Sequence, residues 1–143
     1  MVGVDMSAMI LYQVSIGGAD LSAADFQDSR ITLASLFNSN FTSANMRGVV
    51  FSSSRASGVD FGLANLAEAK FYSTNLSGAL FVGANLRNAT FSQGTIIDNA
   101  DFTDADLTGA VFESLGASTG RPPIYCRTTM PDGSMNNENC GGN

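Results

Sequence analysis

From Leu21 onward a large apolar residue stands at every fifth position: Leu21, Phe26, Ile31, Leu36, Phe41, Met46 and Phe51, then Phe61, Leu66, Phe71, Leu76, Phe81, Leu86 and Phe91. One residue inserted between Ser92 and Thr95 shifts the series, which resumes as Ile97, Phe102, Leu107 and Phe112. Only Ala56 is small, and of the ten Phe only Phe37 falls off the register. Two places before each large residue stands a small one, usually Ala, as at Ala24, Ala44, Ala64 and Ala84. The residue between is often Asp or Asn, as at Asp25, Asn45, Asn65 and Asn85. A period of five fits neither the helical 3.6 nor the strand period of 2, so the chain must turn a corner in every unit. Four units then close a square coil, and successive coils stack at the inter-strand spacing of ~4.8 Å.

Twenty-residue columns follow from that geometry. Leu21, Phe41, Phe61, Phe81 and Phe102 form one, and Ile31, Phe51, Phe71, Phe91 and Phe112 the opposite one. Phe26, Met46, Leu66, Leu86 and Leu107 form a third. The large residue and the small one two places earlier point inward, and the other three positions, with the Ser and Thr they carry, face water. Each buried Leu or Phe contributes about 1.5–3 kcal/mol, ample for a chain of this length. The expectation is an all-β, four-sided β-helix of about five coils over 18–115. In the fourth column Ala56 is the one small member, and Ala56→Leu stabilises only if a void lies beside it.

The flanks are capping segments, since a solenoid leaves an apolar end at each terminus. In 1–17, Met6, Met9, Ile10 and Val14 recur at helical spacing while Met6, Leu11 and Ile16 continue the period of five, so a capping helix and a degenerate first coil are both open. The Met and Ile there also fit a homodimer contact. In 116–143, Gly120 with Pro122 and Pro123 ends regular strand pairing. That tail holds both cysteines, Cys126 and Cys140. They are either free thiols or a staple closing a loop of about 15 residues and stabilising by about 3 kcal/mol, and their confinement to one short tail favours the staple.

Charge and composition narrow the function. Seven Lys and Arg against 13 Asp and Glu give a net −6 with no basic cluster, which disfavours direct nucleic-acid binding. No apolar run approaches the ~20 residues of a membrane-spanning helix, so no membrane insertion is expected. His is absent, which removes the usual general base and the commonest metal ligand. No catalytic residue, cofactor site or metal site can be named. Asp98, Asp101, Asp104 and Asp106 lack the spacing of a calcium loop and read as a solvated acidic face. Gly58, Gly62, Gly78, Gly83 and Gly109 read as corner residues, and Asn45, Asn65 and Asn85 as a hydrogen-bonded ladder. Among the aromatics, Tyr12, Tyr72 and Tyr125 fall outside the expected core.

The units GADLS, SANMR, LANLA, GANLR and DADLT resemble the pentapeptide-repeat family over about residues 18–115. That resemblance implies a right-handed quadrilateral β-helix. The segment CRTTMPDGSMNNENC resembles the tail of cyanobacterial and thylakoid-lumen members, in which such a pair of cysteines forms a disulfide. It implies an oxidising compartment, the thylakoid lumen or a periplasm, in preference to the cytoplasm. The expected role is a non-enzymatic, rigid scaffold that docks an unidentified protein partner in a photosynthetic cell. The alternative, also from the resemblance, is a DNA mimic that binds a type II topoisomerase.

Overall fold

The computed structural model describes residues 2–141. Six short parallel strands stack in chain order into one sheet: β1 (Ile10–Tyr12), β2 (Arg30–Thr32), β3 (Val50–Ser52), β4 (Lys70–Tyr72), β5 (Thr90–Ser92) and β6 (Val111–Phe112). Five turns of chain therefore separate the first strand from the sixth. Ile31, Phe51, Phe71 and Phe91 are partners at intervals of twenty, and Phe91 then pairs with Phe112, one residue later. The extra residue sits at Gln93 and Gly94, where two successive positive φ values (55° and 86°) replace the single one at Ser53 or Ser73. The other three walls are held by isolated parallel bridges such as Asp25 to Asn45 and Asn45 to Asn65.

No helix forms among the described residues. Of the two readings of the upstream segment, the coil is the one that forms: β1 pairs with β2, and Asp5 and Ser15 bridge to Asp25 and Ser35.

Corners explain the five-residue unit. After most large residues the next small one donates its backbone N–H back to it, as Ala24 N does to Leu21 O at 3.1 Å. The second corner residue adopts a positive φ, with Ala23, Asp28, Leu33 and Asn38 all between 53° and 57° in one coil. Such a conformation disfavours L side chains, so Gly often occupies it. At Gly48 a Cβ would press on the Asp28 carboxylate of the coil before, which would have to turn aside. Gly58, Gly78, Gly83 and Gly109 share the positive φ, whereas Gly62 does not.

Phe rings fill the lumen. Phe41, Phe61, Phe81 and Phe102 stack at 5.6, 5.1 and 4.9 Å, and Phe51, Phe71, Phe91 and Phe112 at 5.2, 4.9 and 4.7 Å. The two columns meet edge to face, as Phe71 and Phe81 do at 6.2 Å, the geometry the ring quadrupole favours. Leu21 and Phe26 lie fully buried in the same cluster, Phe112 is partly buried at its end, and Phe37 is exposed.

Ala56 is fully buried, and on the same coil the inward small positions hold the larger Val49 and Val59. Both stand where other units have Ala, and both are fully buried. Their corner hydrogen bonds are also stretched, to 3.2 Å from Val49 N and 3.4 Å from Val59 N, against 3.0 Å for Ala64 and Ala69.

The Ser and Thr do not all face water. Ser29, Ser39, Ser54, Thr74 and Thr95 occupy the inward small position and are buried. Their hydroxyls reach backbone carbonyls, as Ser39 Oγ does to Leu36 O at 2.7 Å. At the corner that follows the strands, the hydroxyl of the next coil replaces the turn bond. Ser54 Oγ accepts from Ala34 N at 3.1 Å, and Thr95 Oγ1 accepts from Thr74 N at 3.3 Å while donating to Phe71 O at 2.9 Å. A lumenal hydroxyl is tolerated because it satisfies backbone groups that the wider corner leaves unpaired.

Candidate functional site

Stacking identical units turns each outward position into a column, so the walls of the prism differ in chemistry. One carries the ladder. Asp25 accepts from Asn45 Nδ2 at 3.1 Å, Asn45 Oδ1 from Asn65 Nδ2 at 3.4 Å, and Asn65 Oδ1 from Asn85 Nδ2 at 3.2 Å. Asp106 ends the column, where Arg87 pairs with it at 2.9 Å, and Arg47 pairs with Glu68 at 2.8 Å beside it. Burial pushes the Asp106 carboxyl up, but hydrogen bonds from Thr108 and Arg87 outweigh it and hold the group below its ordinary range. These charges are spoken for by neighbours.

The β1–β6 wall is different. Its register sets Ile10, Arg30, Val50, Lys70, Thr90 and Val111 in one outward row and Tyr12, Thr32, Ser52, Tyr72 and Ser92 in another. Arg55 follows in the bridge row of the next wall, between Ser35 and Asn75. No Asp or Glu occurs in 9–15, 29–35, 49–55, 69–75 or 89–96, and Glu113 stands only beyond β6. Among the described residues the ion pairs use Arg47, Arg87 and Arg127, none of which lies here. Arg30, Arg55 and Lys70 are exposed, as are Ile10 at 75%, Tyr12 at 58% and Leu33 at 45%. A shallow concavity at one edge is lined by Gln13, Leu33, Ala34, Ser35, Ser53 and Arg55.

The C-terminal end is irregular. Gly116 N still bonds Thr95 O, Asn99 N bonds Arg121 O, and Phe102 N bonds Ile124 O, and the bridge spacing grows from 21 residues at Leu80–Asp101 to 23 at Asp101–Ile124. Asp98 fills the bulge. It is buried, and its Oδ2 accepts from Thr119 N at 2.8 Å and Gly120 N at 2.7 Å. The Ser118 hydroxyl, then these amides, hold its carboxyl below the ordinary range. Asp98 is thus a loop anchor and no part of a solvated face. Asp104 binds Arg127 through both oxygens, at 2.6 and 2.7 Å, and that guanidinium also lowers its pKa.

Beyond the bulge the coil resumes for half a turn. Tyr125 stacks on Phe102 at 5.5 Å, so it extends a core column, and burial pushes its phenol up. Thr128 takes the inward small position and donates to Phe102 O at 2.6 Å. β7 (Tyr125–Thr129) then turns through Asp132 and Gly133 into β8 (Met135–Glu138), which pairs antiparallel along it. Cys126 and Cys140 are joined, with Cα atoms 4.7 Å apart, fastening β8 over the edge of β7. An uncovered parallel edge invites further strand addition, and this hairpin blocks it.

Among the described residues, no group of three Cys, Asp or Glu side chains is placed to hold a metal. No helix is long and apolar enough to cross a membrane.

The profile described as a pentapeptide repeat region matches residues 24–99, and that of pentapeptide repeats in eight copies matches 93–114. The chain belongs to the pentapeptide-repeat family. No curated protein matches it in sequence. Among solved structures it is similar to a trypsin-treated form of QnrB1, a plasmid-mediated fluoroquinolone resistance protein, at 20% identity and TM-score 0.50, over 70% of this chain and 59% of that one. It thus spans less than two thirds of that relative. Full-length QnrB1 matches at 17% identity and TM-score 0.50, over 85% and 84% of the two chains. HetL, involved in heterocyst differentiation regulation in the cyanobacterium Nostoc, matches at 17% identity and TM-score 0.30, over 94% and 92%. At these identities the likeness is one of fold. For a pentapeptide-repeat protein the walls are the working surface, because the lumen is filled by the Phe, Leu and Ala columns.

Proposed function

We propose that this protein is a rigid, non-enzymatic scaffold that docks a protein partner on one wall of the prism, in the lumen or periplasm of a photosynthetic cell. The observation that carries the docking is the segregation of its surface. Through five coils the β1–β6 wall carries Arg30 and Lys70 and no carboxylate, the adjoining wall adds Arg55, and Ile10, Tyr12 and Leu33 are exposed beside them. The four other cations stand with all 13 carboxylates elsewhere, a net −9 for the rest of the chain. Repulsion alone does not require such sorting, whereas a docking surface does. The Cys126–Cys140 bond supports an oxidising compartment. Homodimer contact, where it occurs, belongs at the first coil, whose Ile10 and Met9 are exposed. The topoisomerase-binding DNA mimic is the poorer reading, since a duplex mimic has no use for an acid-free cationic wall.

Intact mass with and without reduction and alkylation, on protein from its native compartment, tests the setting. One bridged pair is expected, and two free thiols would return the chain to the cytoplasm. Sedimentation of the oxidised protein in lumenal or periplasmic extract tests the role: the expected result is migration with a second protein, and migration as the free chain alone sinks the scaffold.

A further inference from the structure

Resting on the scaffold reading, we infer that the β1–β6 wall receives an acidic amphipathic helix of the partner, laid along the coil axis with carboxylates on Arg30 and Lys70. Ile10, Arg30, Val50 and Lys70 occupy one row on four consecutive strands. At ~4.8 Å per strand, the two cations stand about 10 Å apart with Val50 between them and Ile10 one strand beyond Arg30. An α-helix returns to the same side every 5.4 Å or so. Residues at i, i+3 or i+4, and i+7 therefore meet successive strands with a mismatch of about 1 Å over two turns. Flexible Arg and Lys side chains absorb that difference. An extended strand lying the same way repeats its side chains every ~6.7 Å and loses register at once.

The row thus calls for a helix reading Glu or Asp, apolar, Glu or Asp, with a further apolar residue toward Ile10. Tyr72, beside Lys70 on β4, and Arg55 flank the seat. Among the described residues neither cation makes an ion pair; Asp28 and Glu68 border them at the corner two residues upstream, and Glu68 is already held by Arg47. Most of the net −9 elsewhere lies on other walls and at the C-terminal end, where physiological salt screens what stands beyond roughly 8 Å; Asp28 and Glu68 at the bordering corner and Glu113 beyond β6 are the nearest carboxylates. A nucleic acid fits worse, because tight phosphate binding draws on about six to ten contacts and this wall offers Arg30 and Lys70, with Arg55 on the wall beside it. So does an anionic membrane, which is held by clusters of about four to eight Lys and Arg.

Fluorescence anisotropy tests this with two labelled helical peptides on an Ala and Gln background: one with Glu two turns apart and Leu between, the other with Lys replacing Glu. The acidic peptide should bind the oxidised wild type and lose at least about tenfold in the Arg30→Glu, Lys70→Glu variant, with binding that weakens as salt rises. The variant should keep its melting temperature, since both side chains are exposed, and should prefer the basic peptide. Equal affinity of wild type for the two peptides, or an unchanged affinity in the variant, overturns the inference. So does tighter binding to phosphatidylglycerol vesicles or to an oligonucleotide than to the acidic peptide.

A photo-crosslinker placed in turn at Thr32, on this wall, and at Ala67, on the ladder wall, separates this inference from the scaffold reading in native extract. A product from Ala67 alone, or a product with a second copy of the chain, sinks the acidic helix and leaves the scaffold. No product from either sinks both. A Thr32 product that charge reversal abolishes supports both.

Discussion

The five regular turns and the half turn after Asp98 are built from the same backbone path, yet they are held by different means. In the regular turns most inward side chains meet a like neighbour one coil away, and Phe71 stacks on Phe51 on one side and Phe91 on the other. No part is unique, so stability is a sum of near-equal interfaces. In the last half turn the offset has drifted to 23 residues, and the chain relies on single parts: Asp98 under the loop, Arg127 on Asp104, Tyr125 on Phe102 and the Cys126–Cys140 bond. Repetition gives redundancy, and where repetition fails specific bonds replace it.

The sharpest way to break this contrast is to damage a regular turn. Phe71→Ala removes a fully buried ring from the middle of a column and should cost about 3–5 kcal/mol, because neighbouring coils are too rigid to collapse onto the gap. Chemical denaturation should show loss of the whole cooperative transition. A midpoint shift worth under 1 kcal/mol would mean that columns act independently. Next in size, Cys126→Ser with Cys140→Ser should cost about 3 kcal/mol at most by the loop-closure estimate, and it should act locally. Hydrogen exchange should quicken at Thr128, Thr129 and the β8 amides while the Phe61 and Phe81 amides stay protected. Equal loss of protection in both regions would show that the end and the turns unfold as one unit.

Ala56→Leu probes redundancy inside the regular turns. With Ala56 fully buried and the same coil already carrying Val49 and Val59 at small positions with stretched corner bonds, the larger side chain should overpack the coil and cost about 1–3 kcal/mol. Val59→Ala in the same chain should recover most of it. A rise in melting temperature from Ala56→Leu alone would place a void there and rule out overpacking.

The regular turns were legible because period, residue size and strand spacing all constrain the same variable, the length of one wall. The inserted residue at Gln93 and Gly94 was legible for that reason. The inward hydroxyls of Ser54, Thr74 and Thr95 were not, since a small polar residue in a small-residue position looks like any variable position until the corner that lacks a turn bond is seen. Tyr125 was missed as a core residue because the two extra residues between Gly116 and Pro123 hide its place in the column. Asp98 was misread for the same reason: what buries it is a bulge that no repeat predicts. The acid-free wall was present in the sequence, but it appears only when residues are sorted by column.

Asp98 also gives the end of the molecule an acid sensitivity at a buried loop anchor. Its folded pKa is lowered, so the stability it contributes is fully present above its unfolded value near 4 and is lost as pH falls through the folded value. Near-ultraviolet circular dichroism of the tyrosines should report loosening around Tyr125 in that acid range before the far-ultraviolet signal changes. Asp98→Asn should loosen the loop at neutral pH and flatten the acid response. An acid response unchanged by Asp98→Asn would assign it to Asp104 and its bond to Arg127 instead.

The smallest effect belongs to the ladder, and its sign depends on direction. Asp25 can only accept, so Asn45 must turn its amide nitrogen toward it and leave its oxygen facing Asn65, which must do likewise toward Asn45. The base carboxylate therefore orients every amide above it. Asn65→Ala removes bonds of 3.4 and 3.2 Å at a half-buried position and should cost below about 1 kcal/mol. Asn65→Asp keeps an acceptor for Asn85 but sets a carboxylate against the Asn45 oxygen, which cannot flip without presenting that oxygen to Asp25. It should therefore cost more than the alanine, although it is the closer relative in shape. If thermal melts rank the two the other way, the amides reorient freely and the ladder carries no direction.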